Sequence, residues 1–257
     1  MSVGMVSLGC PKNLVDGEVM LGHLQRRGHE LVADPRQADV IVVNTCAFID
    51  RAKQESVDAV LEMAQEKQAG RAKRLVVTGC LAQRYDALLR REIPEIDATL
   101  GTGQVEGILA AVEGRATTTD GGQARPTWIY DHTAPRVLST PPWLAYLKIS
   151  EGCDYTCTFC IIPKLRGLHR SRAVDDVVLE AEALAARGVR ELVLVAQDST
   201  RYGLDLGMRD GLATLLRRLG RVDGLRWIRV MYAYPATVTD AILDAVASEE
   251  KVVKYVD

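Results

Sequence analysis

The chain has 257 residues, 47% hydrophobic and 26% charged, a make-up that suits one or two globular domains with a real core and argues against a disordered or fibrous chain. Its formal charge of -2 shows no overall basic bias, so the broad electrostatic footprint of a charge-driven nucleic-acid binder is missing. Met1 to Val6 lack the basic and long apolar regions of a signal peptide, and no stretch reaches the roughly 18 apolar residues of a membrane span, so a cytoplasmic protein with no membrane partner is expected.

Along the N-terminal part, one pattern recurs: an apolar, β-branched run, a polar residue or glycine, a cysteine, then a helix-length stretch. The runs are Val3 to Leu8 ending at Cys10, Val40 to Val43 ending at Cys46, and Leu75 to Val77 ending at Cys80. Alternation with amphipathic stretches such as Asn13 to Arg27 and Ala52 to Gln68 predicts a doubly wound α/β domain with a parallel sheet covered on both faces. Ligands of such sheets lie outside the carboxyl ends of the strands. Cys10, Cys46 and Cys80 either meet at that edge or are three small buried hydrophobes. Gly101-Thr102-Gly103 reads as the end of a strand, being too short for a phosphate loop.

Gly114 to Thr127 is rich in Gly, Thr and polar residues and reads as a linker or hairpin, and Thr140-Pro141-Pro142 adds a stiff step. The expected division is a domain over 1–113, a linker over 114–142 and a second domain over 143–257. In the second domain the pattern predicts strands at Leu144 to Ile149, Glu191 to Val195, Trp227 to Met231 and Val252 to Val256, with helices at Val174 to Arg187, Leu212 to Leu219 and Asp240 to Ala247. Such βα units suggest a barrel with its chemistry on the C-terminal face. Four strands do not close a barrel, so the chain is expected to be part of a longer protein.

Cys153, Cys157 and Cys160 follow the first strand of that domain as C-D-Y-T-C-T-F-C. Thiolates select zinc, copper(I) or iron-sulfur clusters, and three leave one coordination position open. Zinc would take His169 as a fourth ligand; a four-iron cluster would keep one iron free. His169 reads as an ordinary surface residue, and Lys164, Arg166, Arg170 and Arg172 as a solvated basic face. A disulfide framework is not expected in a cytosolic chain of this size.

The C-x3-C-x2-C spacing, with Phe159 before the last cysteine, resembles the radical S-adenosylmethionine superfamily. Ser7 to Met20, Val43 to Asp50, Val77 to Tyr85 and Glu151 to Gly167 resemble the methylthiotransferases within it. Cys10-Pro11-Lys12-Asn13, Ala196-Gln197-Asp198 and Tyr232-Ala233-Tyr234-Pro235 resemble the branch that modifies an aspartate of small ribosomal subunit protein S-twelve, rather than the branch that modifies a tRNA adenosine. A non-catalytic zinc or iron-sulfur scaffold is the alternative of another class.

The resemblance implies an N-terminal methylthiotransferase domain and an incomplete radical-SAM (βα) partial TIM barrel, with the rest of the barrel and a C-terminal TRAM-like domain beyond this chain. It implies two 4Fe-4S clusters, one on Cys153, Cys157 and Cys160 and one on Cys10, Cys46 and Cys80, with S-adenosylmethionine as co-substrate. Phe159 and Gln197 are the expected cofactor contacts. The implied partners are protein S-twelve, on or off the ribosome, and an electron donor such as flavodoxin or ferredoxin.

Overall fold

Val40, Ile41, Val42 and Val43 are each at most 1% exposed, and four consecutive buried side chains in an extended segment require cover on both faces of a sheet. A computed structural model describes residues 1–115 and 125–257, so the linker expected over 114–127 falls largely outside the described residues. The chain divides into two units. One comprises Met1–Trp128, Pro135–Val137 and Cys157–Arg166; the other comprises Ile129–Ala134, Leu138–Thr156 and Gly167–Asp257.

The first unit is a parallel sheet of β1 (Ser2–Ser7), β2 (Glu30–Val32), β3 (Val40–Thr45), β4 (Arg74–Gly79) and β5 (Ala98–Leu100), in the order β2-β1-β3-β4-β5. Helices α1 (Pro11–Arg26), α2 (Asp50–Ala69), α3 (Cys80–Glu92) and α4 (Ile108–Val112) cover it. Strand periodicity assigns the faces: Ile41, Val43, Leu75 and Val77 share a core with Val60 and Met63 of α2 and Leu81 and Leu89 of α3. Helices α1 and α4 pack together on the opposite side. Strand β2 has no fully buried residue, which is why no apolar run announces it.

A short segment, residues 135–137, lies along α1. Its closeness requires Gly22, where a Cβ would stand 2.2 Å from the Pro135 carbonyl oxygen. Val137 N–H donates to the Glu18 carbonyl at 3.1 Å, and the Arg136 guanidinium pairs with the buried Glu18 carboxylate at 2.7 Å.

The division is interleaved where a linear one was expected. Residues 157–166, with their short helix α5 (Ile162–Arg166), group with the first unit because Leu165 is buried in that unit's core and Thr102 Oγ1 donates to the Leu165 carbonyl at 2.5 Å.

The second unit is built on β6 (Leu144–Lys148), the two-residue strands β7 (Ser150–Glu151) and β8 (Arg170–Ser171), β9 (Glu191–Val195) and β10 (Trp227–Val230). Strands β10-β9-β6 form a parallel sheet in that order, and β7 and β8 pair antiparallel. Helices α6 (Val174–Ala186), α7 (Gly211–Leu219) and α8 (Asp240–Ser248) bury Val177, Leu184, Leu212, Leu216 and Ala245 against Leu147, Leu192, Leu194 and Ile228. The strand expected over Val252 to Val256 is reduced to one bridge between Val252 and Ile228. Only Val252 and its neighbours reach the ladder: Tyr255 and Val256 are exposed, and the Asp257 carboxylate accepts from the backbone N–H of Tyr232 and Ala233, drawing the segment off the strand line.

A buried charged network knits this unit. Arg172 donates to Asp176 at 2.6 Å, to Glu180 at 2.5 Å and to the Lys148 carbonyl at 3.1 Å, and its guanidinium lies 4.3 Å from the Tyr130 ring centre. Removing one partner of a buried pair strands the other's charge. Arg172→Met is therefore expected to lower stability in urea denaturation by about 3–5 kcal/mol, far above the roughly 0–1 kcal/mol of a surface pair; a loss within the surface range would contradict this reading of the network.

Candidate metal centres

Parallel strands deliver their βα turns to one edge, and the order β2-β1-β3-β4-β5 makes β1, β3 and β4 consecutive neighbours. Cys10 follows β1 as the N-cap of α1, Cys46 directly follows β3, and Cys80 opens α3 directly after β4. Three sequence-distant thiols thus share the carboxyl edge, spanning the switch point between β1 and β3 where sheets of this order bind ligands. Helix N-termini at Cys10 and Cys80 add positive dipole ends that favour anionic sulfur.

Glycine makes the approach possible. Gly9 has φ +91° and a Cβ there would lie 2.7 Å from the Cys46 Cβ; Gly79 has φ +94° and its Cβ would lie 2.5 Å from the Thr45 carbonyl oxygen. Polar side chains then fix the turns. Asn13 Nδ2 donates to the Leu8 carbonyl at 2.8 Å, Asn44 Nδ2 to the Asn13 carbonyl at 2.8 Å, and Thr45 Oγ1 to the Thr78 carbonyl at 2.6 Å. Ser56 Oγ both accepts from the Cys46 N–H and donates to the Cys46 carbonyl, each at 2.9 Å.

Cys46 and Cys80 are buried and Cys10 is half-buried. Burial pushes the Cys80 thiol up to about 11; Arg166, whose Nη2 stands 3.6 Å from the sulfur, opposes that rise, and nearby Cys10 and Cys46 add to it. An anionic Cys80 therefore calls for a positive partner. Among the described residues, the His, Cys, Asp or Glu triplet whose ligand atoms lie within 4.8 Å of one another is Asp131, His132 and Asp176. The N-terminal sulfurs are not such a triplet, so at least one pair of them stands wider than the roughly 3.8 Å spacing that one tetrahedral zinc with bonds of about 2.3 Å imposes. Three soft donors, one from each of three turns, suit an iron-sulfur cubane, in which each thiolate would bind a different iron.

In the cysteine loop, Gly152 has φ +82° and its Cβ would stand 2.0 Å from the Leu168 carbonyl oxygen, so the residue before Cys153 is again a forced glycine. Cys153 N–H donates to the Gly167 carbonyl at 3.0 Å. Cys157 is exposed, and the Cys160 N–H closes a turn on the Cys157 carbonyl at 3.1 Å ahead of α5. Phe159 stands 89% exposed on that loop.

At the carboxyl edge of the second unit's sheet, Gln197 Nε2 donates to Glu151 Oε1 at 2.5 Å, and Glu151 Oε2 accepts from the buried Lys148 Nζ at 2.7 Å. The buried Gln197 Oε1 has no partner among the described residues, leaving an acceptor with its orientation already fixed. Asp198 accepts from the Tyr155 hydroxyl at 2.9 Å and from the Thr200 N–H at 3.0 Å, and the Tyr155 and Tyr234 rings lie 5.1 Å apart. Tyr232, with φ +64°, ends β10 in a left-handed turn whose carbonyl accepts from the Ser199 N–H at 2.9 Å. The edge thus gathers Gln197, Asp198 and the Tyr232 turn.

Two sequence expectations are corrected. His169 is buried rather than on the surface; its N–H donates to Asp154 at 2.8 Å, and its Nε2 lies 3.2 Å from Ser171 Oγ and 3.5 Å from Asp205. The basic run is not one solvated face, because Arg166 and Arg172 turn inward and pair with carboxylates while Lys164 stays exposed. Sequence reasoning also passed over Asn13, Ser56, Glu151 and Arg166 as supports of the turns. One signal for the turns was present: Gly-Cys occurs at 9–10, 79–80 and 152–153, each time with a positive φ at the glycine.

Comparison with known proteins matches residues 2–101 to the Uncharacterized protein family UPF0004 and residues 147–256 to the Radical SAM superfamily. The ribosomal protein uS12 methylthiotransferase RimO of Solibacter usitatus is 52% identical over 259 residues, an alignment that takes in 100% of this chain and 55% of that protein. The proteins of the same name from Anaeromyxobacter sp. strains Fw109-5 and K are 56% and 54% identical, over 98% and 99% of this chain and 53% and 54% of their own lengths. The chain spans about half the length of the curated relatives it matches. Among solved structures, the radical S-adenosylmethionine methyltransferase TsrM from Kitasatospora setae shares the fold with a TM-score of 0.65 at 17% identity, covering 98% of this chain and 58% of that one. On these relatives and on the two matched families, the chain belongs to the radical S-adenosylmethionine methylthiotransferase family, alongside the ribosomal protein uS12 methylthiotransferases.

Proposed function

We propose that this chain carries the two cluster-binding parts of an enzyme that adds a methylthio group to the β-carbon of an aspartate in ribosomal protein uS12. The observation that carries this reading is the second cysteine set: Cys10, Cys46 and Cys80 at one sheet edge, in a chain that also has the C-x3-C-x2-C loop. One set would suffice to cleave S-adenosylmethionine; a second open set is what delivery of sulfur adds. Cys10-Pro11-Lys12-Asn13 and Ala196-Gln197-Asp198, with relatives named for uS12, support the protein substrate over tRNA. A charge of -2 agrees with a protein partner.

In this reading Cys153, Cys157 and Cys160 hold one four-iron cluster and Cys10, Cys46 and Cys80 the other. The clusters and S-adenosylmethionine supply one-electron chemistry at an unactivated carbon, which side-chain acids and bases do not perform. The protein's own residues position and shield. Gly9 and Gly79 let the thiolate turns close, Asn13 and Ser56 hold them, and Arg166 balances the buried sulfur's charge. Gln197, aimed by Glu151, offers its buried Oε1 to a donor such as the ammonium group of S-adenosylmethionine. Phe159 lies on the loop where a nucleoside ring would find an apolar neighbour. The enzyme works in the cytoplasm, where a flavodoxin- or ferredoxin-type protein supplies the electron.

The native full-length enzyme, reduced and given S-adenosylmethionine, is expected to place a methylthio group on purified uS12 and none on tRNA, as read by peptide and nucleoside mass spectrometry; the reverse pattern would exchange the substrate assignment. Cys46→Ala is expected to abolish methylthiolation while the protein still forms 5′-deoxyadenosine, measured by chromatography. Loss of both activities in a folded variant with its loop cluster loaded would refute the division of labour.

A further inference from the structure

Arg166 is among the largest fully buried side chains, at 2% exposure. It ends α5, the helix that begins just after Cys160, and it turns its fork back into the first unit. Nη1 donates to Asp16 at 2.8 Å, while Nη2 lies 3.2 Å from Asn13 Oδ1 and 3.6 Å from the Cys80 sulfur. An ion pair with Asp16 alone would satisfy a structural role. The second nitrogen is instead held between an amide oxygen and a sulfur, and the planar guanidinium fixes both directions at once.

Helix α1 supplies the alignment. Asn13 and Asp16 are three residues apart and share a face, and Cys10 is the N-cap of the same helix. One helix therefore offers a thiol and the two groups that aim Arg166 at a second thiol. A neutral buried thiol gains little from a cation, whereas an iron-bound thiolate gains charge balance and a directed N–H. The cation is also costly to bury unless it serves such partners.

We propose that Arg166 is a positioning residue for the N-terminal cysteine set: its guanidinium orients the Cys80 thiolate by hydrogen bonding and raises the reduction potential of the cluster bound there. The proposal rests on the reading of Cys10, Cys46 and Cys80 as cluster ligands. Hydrogen bonds to coordinating sulfur stabilise the more negative, reduced state, which gives the sign.

The test uses the anaerobically reconstituted full-length protein carrying Cys153→Ala, Cys157→Ala and Cys160→Ala, so that only the N-terminal set can hold a cluster, with its midpoint potential read by EPR-monitored titration. Adding Arg166→Gln is expected to shift the midpoint to lower potential, and Arg166→Lys, which keeps the charge without the fork, to shift it less. Equal midpoints in the parent and in Arg166→Gln overturn the proposal. Should Arg166→Gln fail to fold, the parent decides: grown on 15N-arginine, it is expected to show the labelled nitrogen coupled to the reduced cluster in electron spin echo spectra, and a spectrum indifferent to the label overturns the role. A parent that binds no iron overturns the ligand reading itself, and the role of Arg166 with it.

Discussion

Everything at the N-terminal site depends on one constraint: parallel strands place all their following turns on the same edge. With β1, β3 and β4 adjacent, a cysteine in each of three turns becomes a three-point site without any of the three being close in sequence. The sheet also fixes its scale, because neighbouring strands lie about 4.7–4.9 Å apart. Turns on neighbouring strands are therefore set apart by about that distance, and those after β1 and β4 by about twice it. Three soft thiol donors delivered to one edge are the feature on which the proposed cluster site rests.

The same edge is costly to build. Two of the thiols are buried and a cation is sunk beside them, in a region where each backbone donor and acceptor must be satisfied. Asn13, Asn44, Thr45 and Ser56 meet that demand with hydrogen bonds to the turns themselves. Where the chain must pass closest to its neighbour, a glycine precedes the cysteine. Gly152 repeats the device in the loop of the second unit, packed on the Leu168 carbonyl rather than on another turn.

Much of this was legible in the sequence, and for identifiable reasons. The runs at Val3 to Leu8, Val40 to Val43 and Leu75 to Val77 announce buried parallel strands because both faces are covered, and the spacing of the cysteines after them announces the edge. Strand β2 was silent because none of its side chains is fully buried. The terminal strand was over-read because Val252, Val253 and Val256 look like a ladder, whereas a carboxylate at Asp257 caps the turn at Tyr232 and the ladder ends after one bridge. Arg166, Arg172 and His169 are buried where the sequence suggests a surface run. A short basic run gives no periodic sign that alternate members turn inward, and their carboxylate partners Asp16 and Glu180 are set elsewhere along the chain. The interleaving of 157–166 with the first unit likewise depends on Leu165 packing at long range, which local pattern does not encode.

We propose that this chain has two cysteine sets, Cys10, Cys46 and Cys80 and Cys153, Cys157 and Cys160, each suited to an iron-sulfur cubane. Iron and acid-labile sulfide, counted per chain after anaerobic reconstitution and paired with Mössbauer spectra, decide between this and a zinc site. Two cubanes give about eight irons and eight sulfides, falling to about half when Cys10, Cys46 and Cys80 are all replaced by alanine. A colourless protein that holds zinc without sulfide, or an iron count unchanged by that triple replacement, would contradict the account.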